Sequence, residues 1–346
     1  MLGRAGRDGV LGTGRGDRHD VQPDTVRSSC PEPQAWYLSV VSLRMHRSHR
    51  VAGALVGAAV GDALAAPFAG LPPGEFSRRF PAPARGVRTE MCGADPGRFT
   101  AAFARTLEAL IDEEFAYPEP LCRALDGEPV ELDGGDVADV LRRAVDGKRD
   151  ATAAGALAGA VFGMAGIPMR WSSVVHGEAA GRSWRLDDLQ ELAAALDGHP
   201  APPYDPGHIP RLGPTEVLPG IWAGNLDGAR YSDSSFAVIS LCRLGEPFGH
   251  EVQRMAYLAD NEHNTELDVV LEDVLADMAA LRAEGRRILV HCHGGASRTG
   301  LILRAWLRRT EGLSVDEATR LVADRWPYLG LWNGSFTDAL KRMAAR

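Results

Sequence analysis

The chain of 346 residues predicts two folds in series: a small all-α helical module, followed by an α/β part in which a sheet is flanked by helices. Three observations predict this. Residues 50–70 and 150–171 are Ala/Gly-rich apolar runs in which glycine recurs every fourth position, at Gly53, Gly57 and Gly61 and at Gly155, Gly159 and Gly163, a helical spacing. From 213 to 346 short apolar runs alternate with patterns of spacing three and four, as the strands and helices of a doubly wound sheet do. Finally Ile288 to Gly300, ILVHCHGGASRTG, passes from a β-branched apolar run through a glycine-rich turn into a helix.

Taken in order, residues 1–49 are rich in Gly, Arg, Asp and Ser and carry no apolar h-region. A disordered leader without a secretory signal is expected, with Met45 as an alternative start. Residues 50–185 form the helical module. Glycine costs about 1 kcal/mol in a helix relative to alanine, so six at helical spacing predict two faces meeting in close backbone contact, unless they reflect compositional drift. Ala151 to Met169 carries no charge over 19 residues, long enough for a membrane span, but its Ala/Gly composition is weakly apolar and no span is expected. Residues 186–212 are a linker region, stiffened by His199-Pro200-Ala201-Pro202-Pro203.

The remaining 213–346 is the α/β domain. Thr215 to Asn225 reads as two short strands around Pro219-Gly220. Phe236 to Leu241 is a continuous apolar run, as a buried parallel strand should be. Leu267, Val270, Leu271, Val274, Leu275, Met278 and Leu281 predict an amphipathic helix over 266–283, closed by Gly285. Three more helical segments follow at 301–309, 314–324 and 335–343.

Cys292 ends the apolar strand, and Arg298 opens the next helix. A strand entering a glycine-rich turn and then a helix directs backbone N–H groups inward and adds the positive end of the helix dipole. Positive potential favours a thiolate, and arginine supplies a planar fork for two phosphate oxygens. His291-Cys292-His293-Gly294-Gly295-Ala296-Ser297-Arg298-Thr299 resembles the signature of protein tyrosine and dual-specificity phosphatases, over about the last 135 residues. The resemblance implies a dual-specificity-phosphatase-like sheet and a phosphocysteine mechanism. Cys292 would attack phosphorus, Arg298 would hold the oxygens, Thr299 would stabilise the departing thiolate, and His291 would tune the cysteine. The loop His293, Gly294, Gly295, Ala296, Ser297 and Arg298 would bind phosphate, with no metal or other cofactor. Asp260, 32 residues before Cys292, resembles the family's general acid in its spacing, with Glu262 as the alternative. The segment from Trp326 to Phe336 resembles the family's stretch ending in Asn-x-x-Phe, where Asn333 either orients the phosphate loop or serves a turn.

Arg50 to Gly70, with Gly61-Asp62-Ala63-Leu64, resembles the opening helix of the ADP-ribosylglycohydrolases, and Asp150 to Trp171 their closing helix. That family holds two magnesium ions on clustered carboxylates, as hard cations require. Here the corresponding positions read Thr100-Ala101-Ala102-Phe103 and Asp150-Ala151-Thr152, and most of the intervening domain is missing. A truncated, non-catalytic relic is expected, with Asp62 packing or capping a helix.

The formal charge of −8 offers no general attraction to nucleic acid or an anionic membrane. The five cysteines show neither metal spacing nor a secreted disulfide framework, and a reducing cytoplasm suits a catalytic thiolate. The expected partner is a phosphorylated protein or small phosphate ester; oligomeric state stays open. Competing readings are a phosphate-binding pseudophosphatase, a glycohydrolase-family protein with residual activity, and a rhodanese-like cysteine-loop enzyme.

Overall fold

A computed structural model describes residues 45–81, 94–200, 209–256, 258–260, 264 and 266–343. The expected leader up to residue 44, residues 201–208 of the expected linker, and Glu262 lie outside the described residues.

The N-terminal elements are α1 (Arg47–Ala65), α2 (Glu75–Arg79), α3 (Ala101–Ile111), α4 (Glu119–Leu125), α5 (Val137–Asp146), α6 (Ala151–Phe162), α7 (Met169–Ser172), an antiparallel ribbon β1 (Gly177–Ala179) with β2 (Arg182–Trp184), and α8 (Leu186–Leu196). The ribbon is an addition to the all-α expectation. α1 and α6 run antiparallel in contact. A Cβ built on Gly53 would strike the Gly159 carbonyl, one on Gly57 the Gly155 carbonyl, and one on Gly61 the Ala151 carbonyl, each well under 3.0 Å. Glycine is needed because backbone meets backbone. Gly163 also lies against Gly53, whose added Cβ would stand 2.7 Å from its carbonyl carbon, but with φ 71° it ends α6, so the closing helix does not continue to Trp171. α1 and the turn after it are long and apolar enough to cross a membrane by length and composition, but most of this segment is buried inside the protein.

The second part comprises β3 (Thr215–Leu218), β4 (Ile221–Asn225), α9 (Leu226–Arg230), β5 (Ala237–Ser240), β6 (Val252–Met255), α10 (Leu267–Ala283), β7 (Ile288–Cys292), α11 (Ser297–Glu311), α12 (Val315–Arg325) and α13 (Gly334–Arg342). The sheet order is β3-β4-β7-β5-β6, with only the β3–β4 pair antiparallel. On one face Ile221, Ile239 and Val290 pack with Leu271, Val274, Met278, Leu301 and Leu303; on the other Val238 and Leu289 pack with Leu226, Phe236 and Phe248. β7 lies centrally, so its C-terminal end opens between the ends of β4 and β5, where such sheets place ligands.

The two parts meet along a hydrogen-bonded seam. Met169 is buried in the core of the second part, and its N–H donates to Asp273 at 2.6 Å. Arg170 donates to Asp277 Oδ1 through Nη2 at 2.6 Å and Nε at 3.1 Å, while Arg254 Nε donates to Oδ2 of the same carboxylate at 2.9 Å. Ser173 Oγ accepts the Met255 N–H of edge strand β6 at 2.7 Å. The 186–212 linker is corrected at its start: residues 186–196 form α8, which buries Leu186, Leu189 and Ala193 in the N-terminal core. Its acids Asp187 and Glu191 bond to Leu244 and Arg243 of the second part.

Candidate active site

Strand alternation sends Ile288, Val290 and Cys292 to the helix-covered face and leaves Cys292 buried at the C-terminal end of the central strand, 2% exposed. The chain then turns through Gly295, whose φ of 72° is left-handed, where a side chain is strained. A Cβ there would also stand 2.9 Å from the Gly224 carbonyl and 3.1 Å from Asn225 N, so the end of β4 abuts the turn directly. Three carbonyls of the turn are already engaged, the last by the first hydrogen bond of α11. His293 O accepts from Leu226 N at 3.2 Å, Gly295 O from Trp326 Nε1 at 2.8 Å, and Ala296 O from Gly300 N at 2.9 Å. That leaves the N–H groups of the turn to form an anion-binding nest.

The first turn of α11 carries Arg298 and no acid, an unfavourable place for a cation unless an anion is held there. Arg298 Nη1 donates to the carbonyls of Leu241 at 3.3 Å and Leu258 at 3.0 Å. One edge of the guanidinium is thus fixed, while Nε on the other is buried and without a hydrogen-bond partner among the described residues. The hydroxyls of Ser297 and Thr299 are buried and unpartnered in the same way. Consecutive buried donors without acceptors carry a desolvation cost. A tetrahedral oxyanion is a ligand that such donors fit.

His291 lies one residue before Cys292, fully buried on the opposite face. Its Nε2 meets Ser240 Oγ at 2.7 Å, and its ring tilts against Phe248 at 5.5 Å. Burial pushes its pKa down to about 3, so it is a neutral ring. Burial pushes the neighbouring Cys242 thiol up to about 12. Asp260 is exposed on the loop after β6. Leu258, two residues earlier, touches Arg298 through its carbonyl, and Ala259 is clamped by Asn264, whose Oδ1 accepts its N–H at 2.9 Å and whose Nδ2 donates to its carbonyl at 2.7 Å. Asn333 caps α13, accepting from Ser335 N at 3.1 Å and Oγ at 2.7 Å, which fits the turn role.

Sequence reasoning missed three supports of the loop: Ser240, Asn225 and Trp326. Asn225 is fully buried and binds Leu212 N, Gly228 N and Pro210 O at 2.8–3.0 Å. Its place as a lone amide closing an apolar strand was the available signal. In the helical module Asp62 accepts from Thr100 N at 2.6 Å and Oγ1 at 2.9 Å, so it ties two helices together as expected. No group of three or more His, Cys, Asp or Glu side chains that could hold a metal occurs among the described residues.

Residues 237–343 match the family model of the dual specificity phosphatase catalytic domain, and residues 44–128 that of ADP-ribosylglycohydrolase. The chain joins a dual specificity phosphatase domain to an ADP-ribosylglycohydrolase-like segment. Over 130 residues the chain is 26% identical to human dual specificity protein phosphatase 1, covering 36% of this chain and 34% of that one. It is 31% identical over 112 residues to rat dual specificity protein phosphatase 12, covering 30% and 33%. It is also 26% identical to a putative tyrosine phosphatase, 123R, of invertebrate iridescent virus 6, covering 32% and 77%. The chain spans about a third of the length of the dual specificity phosphatase 1 relatives it matches. Among solved structures, human DUSP28 aligns with TM-score 0.34 and 23% identity over 40% of this chain and 95% of that one.

Proposed function

We propose that this chain is a cysteine-dependent phosphatase that hydrolyses phosphate monoesters of phosphotyrosine, phosphoserine or phosphothreonine through a phosphocysteine intermediate. The observation that carries the reading is the set of buried, unpartnered donors on Ser297, Arg298 and Thr299 beside Cys292. In the first step the Cys292 thiolate forms a bond to phosphorus as the ester P–O bond breaks, and Asp260 gives its proton to the departing oxygen. Arg298 Nε and the loop N–H groups hold the phosphoryl oxygens in both ground and transition states. In the second step Asp260 takes a proton from water, which attacks phosphorus and releases inorganic phosphate. The Thr299 hydroxyl donates to the departing thiolate, and neutral His291 keeps the strand end rigid from beneath. The reaction needs no metal or cofactor, and its substrate is a phosphorylated protein or small phosphate ester in the cytoplasm.

The glycohydrolase reading has less support, because Ala101 and Ala102 offer no ligands and Asp62 is committed to Thr100. Hydrolysis of an aryl phosphate by the full chain, with and without Cys292→Ser and with and without chelator, tests the proposal. Turnover should vanish in Cys292→Ser while inorganic phosphate still binds, and chelator should change nothing. Full activity in Cys292→Ser would remove the mechanism, and phosphate binding without any wild-type turnover would favour a pseudophosphatase.

A further inference from the structure

The helical module is bonded to the two segments that hold the phosphate-binding arginine. Arg298 Nη1 rests on two backbone carbonyls, Leu241 O just past β5 and Leu258 O just past β6. Both lie just past the paired residues of the ladder; Leu241 N–H donates to His291 O at 3.0 Å and Leu258 N–H reaches Leu241 O only at 3.5 Å, so the sheet ties them on one side and the anchors of the flanking segments act on the other. After β5 the Leu244 N–H donates to Asp187 at 3.1 Å and Arg243 pairs with Glu191, both acids on α8. At the end of β6 the Met255 N–H donates to Ser173 at 2.7 Å, and Arg254 shares Asp277 with Arg170 of α7. Each main-chain anchor stands three residues from a carbonyl that touches Arg298.

Resting on the phosphatase reading, we infer that the glycohydrolase-like module is a brace for the phosphate site: Asp187 and Ser173 are positioning residues that set the Leu241 and Leu258 carbonyls and, through them, the plane of the Arg298 guanidinium. A planar fork must be aimed closely to hold two oxygens, and functional groups lose effect once they stray by roughly 0.5 Å or 10–20°. β6 is the sheet's edge strand, with no further strand to hold its outer side. The module supplies that side.

The test uses the full chain carrying Ser173→Ala with Asp187→Ala, alongside Ser173→Thr with Asp187→Asn, which keeps an acceptor at each position. Asp62→Ala serves as a control that loosens the module away from the seam. Affinity for inorganic phosphate is measured by calorimetry, aryl phosphate kinetics by initial rates, and the folded fraction by circular dichroism. The folded alanine pair should bind phosphate more weakly and lose about 10- to 100-fold in kcat/KM, the scale of a misplaced site group. The conservative pair should recover most of both. Asp62→Ala should lower Tm and leave phosphate affinity as in the wild type. Phosphate affinity and kcat/KM within about twofold of wild type in the folded alanine pair would overturn the brace. Should that pair not fold, Asp187→Ala alone is judged by the same criteria. If the wild-type chain binds phosphate without hydrolysing esters, the phosphatase reading fails while the affinity difference still decides the brace; if it binds no phosphate, both fall.

Discussion

Replacing Asp277 by alanine removes the carboxylate on which Arg170 of the module and Arg254 of the sheet converge. The Asp277 side chain is 4% exposed and its two partners 15% and 16%, so water enters poorly to replace it. Three charge-assisted hydrogen bonds are lost, and two guanidinium groups are left facing one another across a low-dielectric gap. Hydrogen bonds to charged groups contribute about 1.5–3 kcal/mol each, but they share one carboxylate and do not add. Breaking a buried ion pair by removing one partner costs about 3–5 kcal/mol, and that is the expected loss for Asp277→Ala. Urea unfolding of the full chain measures it, read by fluorescence and circular dichroism. Arg254→Met in the Asp277→Ala background should restore part of the loss, because it removes one of the two like charges that Asp277 had separated. A loss below about 1 kcal/mol, the range of a solvent-exposed pair, would refute the reading of Asp277 as the centre of a buried ion-pair cluster.

Gly57→Ala should destabilise the chain by about 1–3 kcal/mol in urea unfolding, the usual cost of overpacking, despite its gain in helix propensity, since the new methyl meets the Gly155 backbone carbonyl. A neutral or stabilising effect would mean that the helices separate readily. Stability should fall as pH drops below 6.5, because burial holds His291, His250 and His49 below that ordinary value and the unfolded chain binds the extra protons. For fully buried His291 the slope is on the order of 1 kcal/mol per pH unit down to about 3. Asp187, whose burial raises its carboxyl, acts in the opposite sense near the carboxylate range. Tm measured between pH 7 and 5 checks the sign, and a flat profile would count against a neutral buried His291. Asp260→Asn should lose roughly 10²- to 10⁴-fold on an alkyl or phenyl phosphate and far less on an activated aryl phosphate. Equal losses on both, or a selective loss in Glu262→Gln instead, would move the acid to another residue.

Local pattern made much of this molecule readable from its residues alone. The turn around Cys292 and Arg298 was legible because its glycines, its arginine and its strand are consecutive in sequence, and the Gly53, Gly57 and Gly155, Gly159 contacts because they repeat with the helix. α8 was passed over in favour of the prolines after it, although Leu186, Leu189, Ala193 and Leu196 carry the spacing of an amphipathic helix. β6 was missed because Val252, Gln253, Arg254 and Met255 are all half-buried, so no alternation marks the strand. The seam left no local trace at all. Arg170 and Asp277, Ser173 and Met255, and Asp187 and Leu244 meet only after the chain has folded, and a charged or hydroxyl side chain in a helix reads as solvated surface until its partner is known.

The measurement that tests the central claim most directly is trapping of the phosphoenzyme. The full chain is mixed with an activated aryl phosphate and quenched in acid on the millisecond scale, and its peptides are then weighed. A single phosphoryl group should be found on Cys292, accumulating further in Asp260→Asn when the poor acid also serves as a poor base for the attacking water. It should be absent in Cys292→Ser. Turnover with no phosphoryl group on Cys292 at any quench time, or with the group on another residue, would contradict the account.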